Sequence, residues 1–243
     1  MNTRLTLNSN ETRYTQASYR DLPVITHRGP LVEKYLEKTY QTIESMLAQY
    51  PRVFATRFDL KFPAHMQDWS SNVISKFIDY FKADVESHLK ARGMIGDKCK
   101  LKFVWAKERN SSMNSHYHVL LLLNRDVFFK SGRLVSDNPN TVNRIEGAWA
   151  RALGLPFNQI GGLVHFPKNR DYSVCRDKPD FYPQLAALFR RASYLAKEDT
   201  KTYEDGSRNF SCSHRVALPS GFSLAALIEQ SKAKLNTVAG GMR

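Results

Sequence analysis

The pattern of hydrophobic and polar residues predicts three long strands, in residues 52–62, 100–108 and 116–124. In the first, RVFATRFDLKF, Arg57, Asp59 and Lys61 alternate with apolar residues and therefore share one wet or functional face. In the third, HYHVLLLLN, both faces are apolar, which is typical of a central strand covered on both sides. The polar loop between the second and third segments has the length of a hairpin, so we expect these two strands to pair antiparallel.

Helical periodicity marks five further segments, which are residues 31–50, 70–93, 141–154, 180–201 and 222–235. In the fourth of these, we expect the helix to begin after Pro183. Ser70 or Ser71 can cap the second of these helices and Gly93 can end it, while Asn140 caps the third and Gly154 ends it. A short strand is expected within GGLVHFPK, residues 161–168. Helices mixed with mainly antiparallel strands indicate the α+β class.

The same pattern suggests how the chain is organised. Residues 1–28 are polar and lack periodicity, so we expect a flexible N-terminal arm. Residues 29–236 form one domain in this interpretation, with helical additions at both ends, and residues 237–243 form a loose tail.

Composition narrows the possible partners and the compartment. The formal net charge of +13 favours a polyanionic partner, most often nucleic acid. The cysteines, Cys99, Cys175 and Cys212, are too widely spaced for a metal-ligand motif and suggest no disulfide framework, which fits a reducing compartment. No apolar run approaches the roughly 18 residues of a membrane span, and the N-terminus lacks the apolar core of a signal peptide. We therefore expect a cytoplasmic protein without a membrane partner.

The first candidate for chemistry is the histidine pair of HYHVLLLLN. His116 and His118 lie two apart on a predicted strand, so both imidazoles face one side and can bind one metal ion, unless the spacing is coincidental. Glu108 ends the preceding strand, and a hairpin would bring it to His116. Two imidazoles and one carboxylate suit Mn²⁺ or Mg²⁺ bound partly through phosphate or water, although Zn²⁺ would also bind.

The second candidate is RRASYLAKEDTK, residues 190–201. On a helix, Tyr194 and Lys197 share one face, with Arg190 and Arg191 one turn earlier. A tyrosine among cations can meet a phosphate, and a neighbouring ammonium favours the phenolate that attacks it. The alternative is a half-buried tyrosine of an amphipathic helix whose cations lie in solvent.

The order of these motifs resembles that of the HUH endonucleases. A strand of the FATRFDL kind, then HYHVLLLLN with Glu108 upstream, then SYLAK, is similar to the single-tyrosine rolling-circle replication initiators, in particular the inovirus gene II-like proteins often found in prophages. The resemblance covers residues 52–201 and implies an antiparallel sheet of about five strands, flanked by helices. It also implies the site residues, which are the metal ligands His116, His118 and Glu108, the nucleophile Tyr194 and its partner Lys197.

The first motif departs from the family pattern. Thr56 is present, but Arg57 and Asp59 follow it where the family commonly shows hydrophobic residues and threonine. Asp59 is therefore an alternative to Glu108 as the third metal ligand.

What the resemblance implies about function is metal-dependent nicking and joining of single-stranded DNA through a 5′-phosphotyrosine intermediate. The substrate would be single-stranded or hairpin DNA at a replication origin of a phage, prophage or plasmid. Arg190 and Arg191 would contact the DNA. The chain contains no P-loop motif, so host helicase and DNA polymerase are the expected partners. Two alternatives are a single-tyrosine HUH transposase and a basic DNA-binding regulator in which the histidines are structural or hold zinc.

Overall fold

The computed structural model describes residues 11–64, 72–94, 100–109, 115–132, 140–198, 208–214 and 216–240. Within these residues the helices are α1 Glu33–Gln49, α2 Val73–Ala91, α3 Thr141–Leu153, α4 Phe181–Ala192 and α5 Leu224–Gly240. The strands are β1 Arg13–Tyr14, β2 Ser18–Tyr19, β3 Leu22–Pro23, β4 Leu31–Val32, β5 Arg52–Lys61, β6 Lys102–Arg109, β7 Ser115–Asn124, β8 Val164–His165, β9 Asp171–Cys175 and β10 Phe210–Cys212.

Six of these strands form the central sheet, in the order β10-β6-β7-β5-β8, with β9 also paired to β5. All its pairings are antiparallel, which confirms the α+β class. The hairpin of β6 and β7 forms as expected, with β7 central. Because β8 and β9 pair with different parts of the same edge of β5, the sheet is five strands wide. The short strands β9 and β10 are not apparent from sequence periodicity.

Helices cover both faces of the sheet. On one face α1, α4 and α5 pack over Ala55 and Leu120 of the sheet. On the other, α2 and α3 pack over a second core that includes Phe77 and Trp149, both fully buried. Truncating a fully buried aromatic residue of this kind to alanine costs about 3–5 kcal/mol of folding free energy. The two hydrophobic layers hold the sheet rigid, so polar side chains on its strands have defined positions.

The helix ends agree with the capping signals in part. The Asn140 side chain accepts a hydrogen bond from the backbone N–H of Asn143, and Gly154 ends α3 in the left-handed region at φ 68°. Gly93 follows α2 with φ 65°, as expected. The proposed caps Ser70 and Ser71 lie outside the described residues, and Asn72 occupies the N-cap position of α2.

Two expected flexible segments are structured. The predicted flexible arm is wrong for residues 11–28, because Tyr19, Leu22 and Val24 are buried against α1 and α4. These residues make short β pairs instead of one periodic element, which explains why periodicity misses them. The predicted tail begins inside α5, which continues to Gly240. Among the helices of the described residues, none combines the length and the apolar character that a membrane span requires.

Candidate functional site

One row of paired residues crosses the central sheet. Phe210 pairs with Ala106, Ala106 with His118, His118 with Asp59, and Asp59 with His165. Directly paired residues point to the same side of a sheet. The polar members of the row therefore lie on the face that α1 and α4 cover. His116, two residues before His118, lies on this face between Glu108 and Lys61.

Three side chains of this face meet as the sequence predicts. His118 Nε2 lies 3.2 Å from His116 Nε2 and 2.9 Å from Glu108 Oε2. The third distance, from His116 Nε2 to Glu108 Oε2, is 3.9 Å. Zn²⁺ and Mg²⁺ hold nitrogen and oxygen ligands at about 2.0–2.2 Å, so two ligands of one ion lie roughly 3 Å apart. The three donor atoms therefore fit a single divalent ion, and we call this set the His-His-Glu cluster.

The charge state of the cluster also suits a cation. Burial, together with the neighbouring His118, lowers the pKa of His116 to about 4. His116 is therefore neutral at neutral pH and offers a lone pair. Glu108 is only 2% exposed, so its carboxylate lies away from bulk water beside the two imidazoles.

Asp59 lies on the opposite side of the His118 ring. Its Oδ1 is 2.5 Å from His118 Nδ1 and 2.5 Å from Arg57 Nη1, while Oδ2 is 3.0 Å from His165 Nδ1. A carboxylate accepts hydrogen bonds, so Asp59 accepts from Nδ1–H of His118 in the tautomer that leaves Nε2 a lone pair for an ion. The geometry thus groups Glu108 with Nε2 of His116 and of His118, and Asp59 with Nδ1 of His118.

Arg57 and Asp59 form a buried ion pair, with 3% and 8% of each residue exposed. Burial alone would raise the pKa of Asp59, but the hydrogen bond from His118 and the charge of Arg57 hold it well below its usual range. The polar face of β5 is therefore buried at these two residues, and the expectation of a wet face is wrong there. Arg57 Nη2 also lies 2.7 Å from His118 Nδ1, so the guanidinium and the Asp59 carboxylate both lie at this ring nitrogen.

Tyr194 lies against the same cluster. Its ring packs edge-on to the His118 ring, with centroids 5.2 Å apart and an interplanar angle of 78°. The guanidinium carbon of Arg57 lies 5.6 Å from the centroid of the Tyr194 ring. Burial, followed by the charge of Glu108, raises the pKa of Tyr194, and the charge of Arg57 opposes this shift. A divalent ion bound to the cluster would add positive charge beside the phenol and favour its ionised form.

The local backbone at Tyr194 differs from the prediction. The expected continuous helix ends at Ala192, and Ser193–Ala196 form a 3₁₀ turn. Lys197 is extended, with ψ 135°, because its backbone pairs with Leu31. Among the contacts of the described residues, no hydrogen bond or ion pair joins the Lys197 ammonium to Tyr194. Arg57 is a cation that packs against the Tyr194 ring.

The two arginines of α4, Arg190 and Arg191, lie close enough to Tyr172 of β9 to affect its pKa. Arg191 is half-buried, and its buried Nε has no hydrogen-bond partner among the described residues. Its charge acts on Tyr172 of β9: burial raises the pKa of Tyr172, and Arg191, Arg57 and Arg190 oppose that shift. Arg190 is exposed. The arginines thus add positive charge near Tyr172, and among the contacts of the described residues no hydrogen bond joins either of them to Tyr194.

Sequence reasoning missed three residues here. Arg57 was placed on the polar face of β5 with Asp59 and named as a departure from a motif, but it was given no role at the site. His165 falls within a predicted short strand, but nothing in its neighbours points to Asp59. Tyr172 lies on β9, which periodicity does not reveal.

Comparison with known proteins gives the family. The model of the YagK/YfjJ C-terminal domain matches residues 14–213. The uncharacterized protein YagK of Escherichia coli (strain K12) is 34% identical over 201 residues, which cover 77% of this chain and 95% of YagK. The uncharacterized protein YfjJ of the same strain is 28% identical over 199 residues, covering 76% of this chain and 96% of YfjJ. No solved structure matches the chain. The match along residues 14–213 contains every strand of the central sheet, and the chain belongs to the YagK/YfjJ C-terminal domain family.

Proposed function

We propose that this chain cleaves and rejoins single-stranded DNA with Tyr194 as the nucleophile. The observation that carries the proposal is the contact between Tyr194 and His118 at a ring-centroid distance of 5.2 Å. Tyr194 lies on the 3₁₀ turn that follows α4, and His118 lies on β7, far away in sequence. Their contact brings a partly buried phenol beside the His-His-Glu cluster. This supports a site in which one phosphate reaches both the phenol and a bound ion.

His116, His118 and Glu108 would hold the divalent ion, Mn²⁺ or Mg²⁺. When bound, the ion supplies Lewis-acid polarisation of the scissile phosphate. Asp59 keeps the proton on Nδ1 of His118, which leaves Nε2 free to bind the metal. Arg57 supports the same arrangement, since it pairs with Asp59 and lies over the tyrosine ring.

In the proposed reaction the Tyr194 oxygen attacks phosphorus in line with the 3′ oxygen. The bond between phosphorus and that 3′ oxygen breaks, the phenolic proton is lost to solvent, and the leaving oxygen gains a proton to become a 3′-hydroxyl. The 5′-phosphate stays on the tyrosine as an ester, so a later 3′-hydroxyl can reverse the step and rejoin the strand. Arg191 and Lys197, half-buried cations near Tyr194, are candidate contacts to the neighbouring phosphates.

The architecture supports an HUH-type fold within this proposal. The sheet is antiparallel, the histidine pair lies on central strand β7, and the tyrosine segment packs on the same face. Initiation of rolling-circle replication at an origin is the role we infer, with host helicase and DNA polymerase as partners. A single-tyrosine transposase would use the same site on different DNA.

The test is a denaturing gel of the protein mixed with a pool of labelled single-stranded DNA, in Mn²⁺ or in EDTA. Wild type is compared with Tyr194→Phe and with Tyr172→Phe, a matched control because Tyr172 is also partly buried on this face. We expect a covalent adduct in Mn²⁺ for wild type and Tyr172→Phe, and none for Tyr194→Phe or in EDTA. An adduct that persists in Tyr194→Phe would show that another residue is the nucleophile. DNA binding without any adduct in wild type would favour the DNA-binding regulator.

A further inference from the structure

A polar groove lies between α1 and the edge strand β10, on the same side of the sheet as the His-His-Glu cluster. Its cavity is about 350 Å³, and α1 contributes Lys38, Thr42 and Ser45 to its lining. These residues are three or four positions apart and form one stripe of the helix. Thr42 and Ser45 are only 4% and 5% exposed, where an amphipathic helix usually buries apolar side chains. This stripe therefore faces a narrow polar space.

The groove is also positively charged. Arg208 and His214, which flank β10, line this cavity together with Lys38. Among the described residues that line the groove none is acidic, and none of these three side chains has an ion-pair partner in the described part of the chain. Cations held together without a counter-charge attract an anion. Hydroxyl groups such as those of Thr42 and Ser45 in the groove lining are common partners of phosphate oxygens in DNA complexes.

The groove lies close to the His-His-Glu cluster on the same face of the sheet. Phe210 of β10 pairs with Ala106, which pairs with His118, so two strand spacings, about 10 Å, separate Phe210 from His118. The Phe210 ring stacks on Tyr35 of α1 with centroids 4.3 Å apart and forms the wall between them. A strand of DNA that reaches both the groove and Tyr194 would therefore pass over this ring pair.

We propose that this groove, defined by Lys38, Arg208 and His214, binds the phosphate backbone of single-stranded DNA beside the nucleotide that Tyr194 attacks. The inference rests on the proposed function for the identity of the strand. A helix packed on a sheet leaves a gap narrower than a duplex, so the ligand is a single strand. Its phosphates would pair with Lys38 and Arg208 and accept a hydrogen bond from His214, which makes affinity strongly dependent on salt.

The test uses charge reversal in full-length protein carrying Tyr194→Phe, so that cleavage does not disturb binding. Lys38→Glu with Arg208→Glu removes the groove charge. Lys90→Glu with Arg92→Glu is the matched control, since both residues are exposed near the end of α2 on the opposite face of the sheet. Affinity for a labelled single-stranded oligonucleotide of mixed sequence is measured by fluorescence anisotropy at several salt concentrations, with a duplex of the same sequence alongside.

We expect the groove variant to bind the single strand at least about tenfold more weakly than the control variant. Its slope of log affinity against log salt should be shallower by about 1.4, because each phosphate contact on a single strand contributes about 0.7. Duplex binding should change equally in both variants. Arg208 is exposed, so Arg208→Glu alone is a variant that leaves the core unchanged. It should show part of the loss of single-strand affinity. Equal single-strand affinity and salt slope for the groove and control variants would overturn the proposal.

The adduct gel separates this proposal from the proposed function. If wild type forms the Tyr194 adduct and the groove variant binds DNA as the control does, the nicking function is supported and the groove is not a DNA-binding site. If the groove variant binds single-stranded DNA more weakly but wild type forms no adduct, the groove is a single-strand binding site and the nicking function is contradicted.

Discussion

Asp59 and Glu108 lie on opposite nitrogens of the His118 ring: Asp59 Oδ1 is 2.5 Å from Nδ1, and Glu108 Oε2 is 2.9 Å from Nε2. This arrangement distinguishes two carboxylates that sequence reasoning left as alternatives for one role. Glu108 shares the side on which His116 lies, whereas Asp59 holds the outer nitrogen.

Asp59→Asn should weaken Mn²⁺ binding without removing a ligand. The amide oxygen can still accept from Nδ1, but it lacks the charge that holds the proton there. Loss of such an outer partner typically costs about 10–100-fold in metal affinity. Isothermal titration calorimetry with Mn²⁺ measures this change, and Glu108→Gln gives the larger loss expected for a ligand. If Asp59→Asn lost more affinity than Glu108→Gln, Asp59 would be the ligand.

His116→Ala combined with His118→Ala should abolish Mn²⁺ binding and metal-dependent cleavage, because two of the three donors are removed. His88→Ala is the matched control, since His88 lies on α2, beside Phe128, away from the cluster. The same calorimetry and the adduct gel report both effects. Mn²⁺ binding of wild-type strength in the double variant would place the ion elsewhere.

Arg57→Met should lower the free energy of unfolding by about 3–5 kcal/mol, because it leaves the buried Asp59 carboxylate without its arginine. Adding Asp59→Asn to Arg57→Met should recover part of this loss, since the uncompensated charge is removed. Urea unfolding of the four proteins in this double-mutant cycle gives the coupling energy. Strictly additive effects would show that the pair contributes no coupling.

Tyr40→Phe should flatten the loss of stability at alkaline pH. Burial, followed by Glu44, raises the pKa of Tyr40 to about 12, above the ordinary value of 10. The folded state therefore favours the protonated phenol, and this contribution is complete below pH 10 and is lost as the pH rises toward 12. Unfolding midpoints between these pH values measure it, with Tyr80→Phe, a more exposed tyrosine, as reference. An unchanged pH slope in Tyr40→Phe would contradict the expectation.

The His-His-Glu cluster was predictable because its contacts are local. A strand places alternate residues on one face, and a hairpin pairs residues close in sequence, so Glu108, His116 and His118 meet once β6 and β7 form. The class of the fold followed from the same periodicities. Residues 11–28 were not predictable, since Tyr19 and Leu22 are ordered by packing on α1 and α4 and not by a periodic element of their own.

The amino-acid sequence by itself determined the shared face of His116, His118 and Glu108 and the excess of positive charge, because both depend on residue type and spacing. Only the tertiary structure decided that Asp59 supports His118 from the outer nitrogen, that Arg57 instead of Lys197 lies beside Tyr194, and that a cationic groove follows β10. These relationships join segments far apart in the chain. Strand register and the end of α4 at Ala192 determine them, and both result from packing of the whole domain.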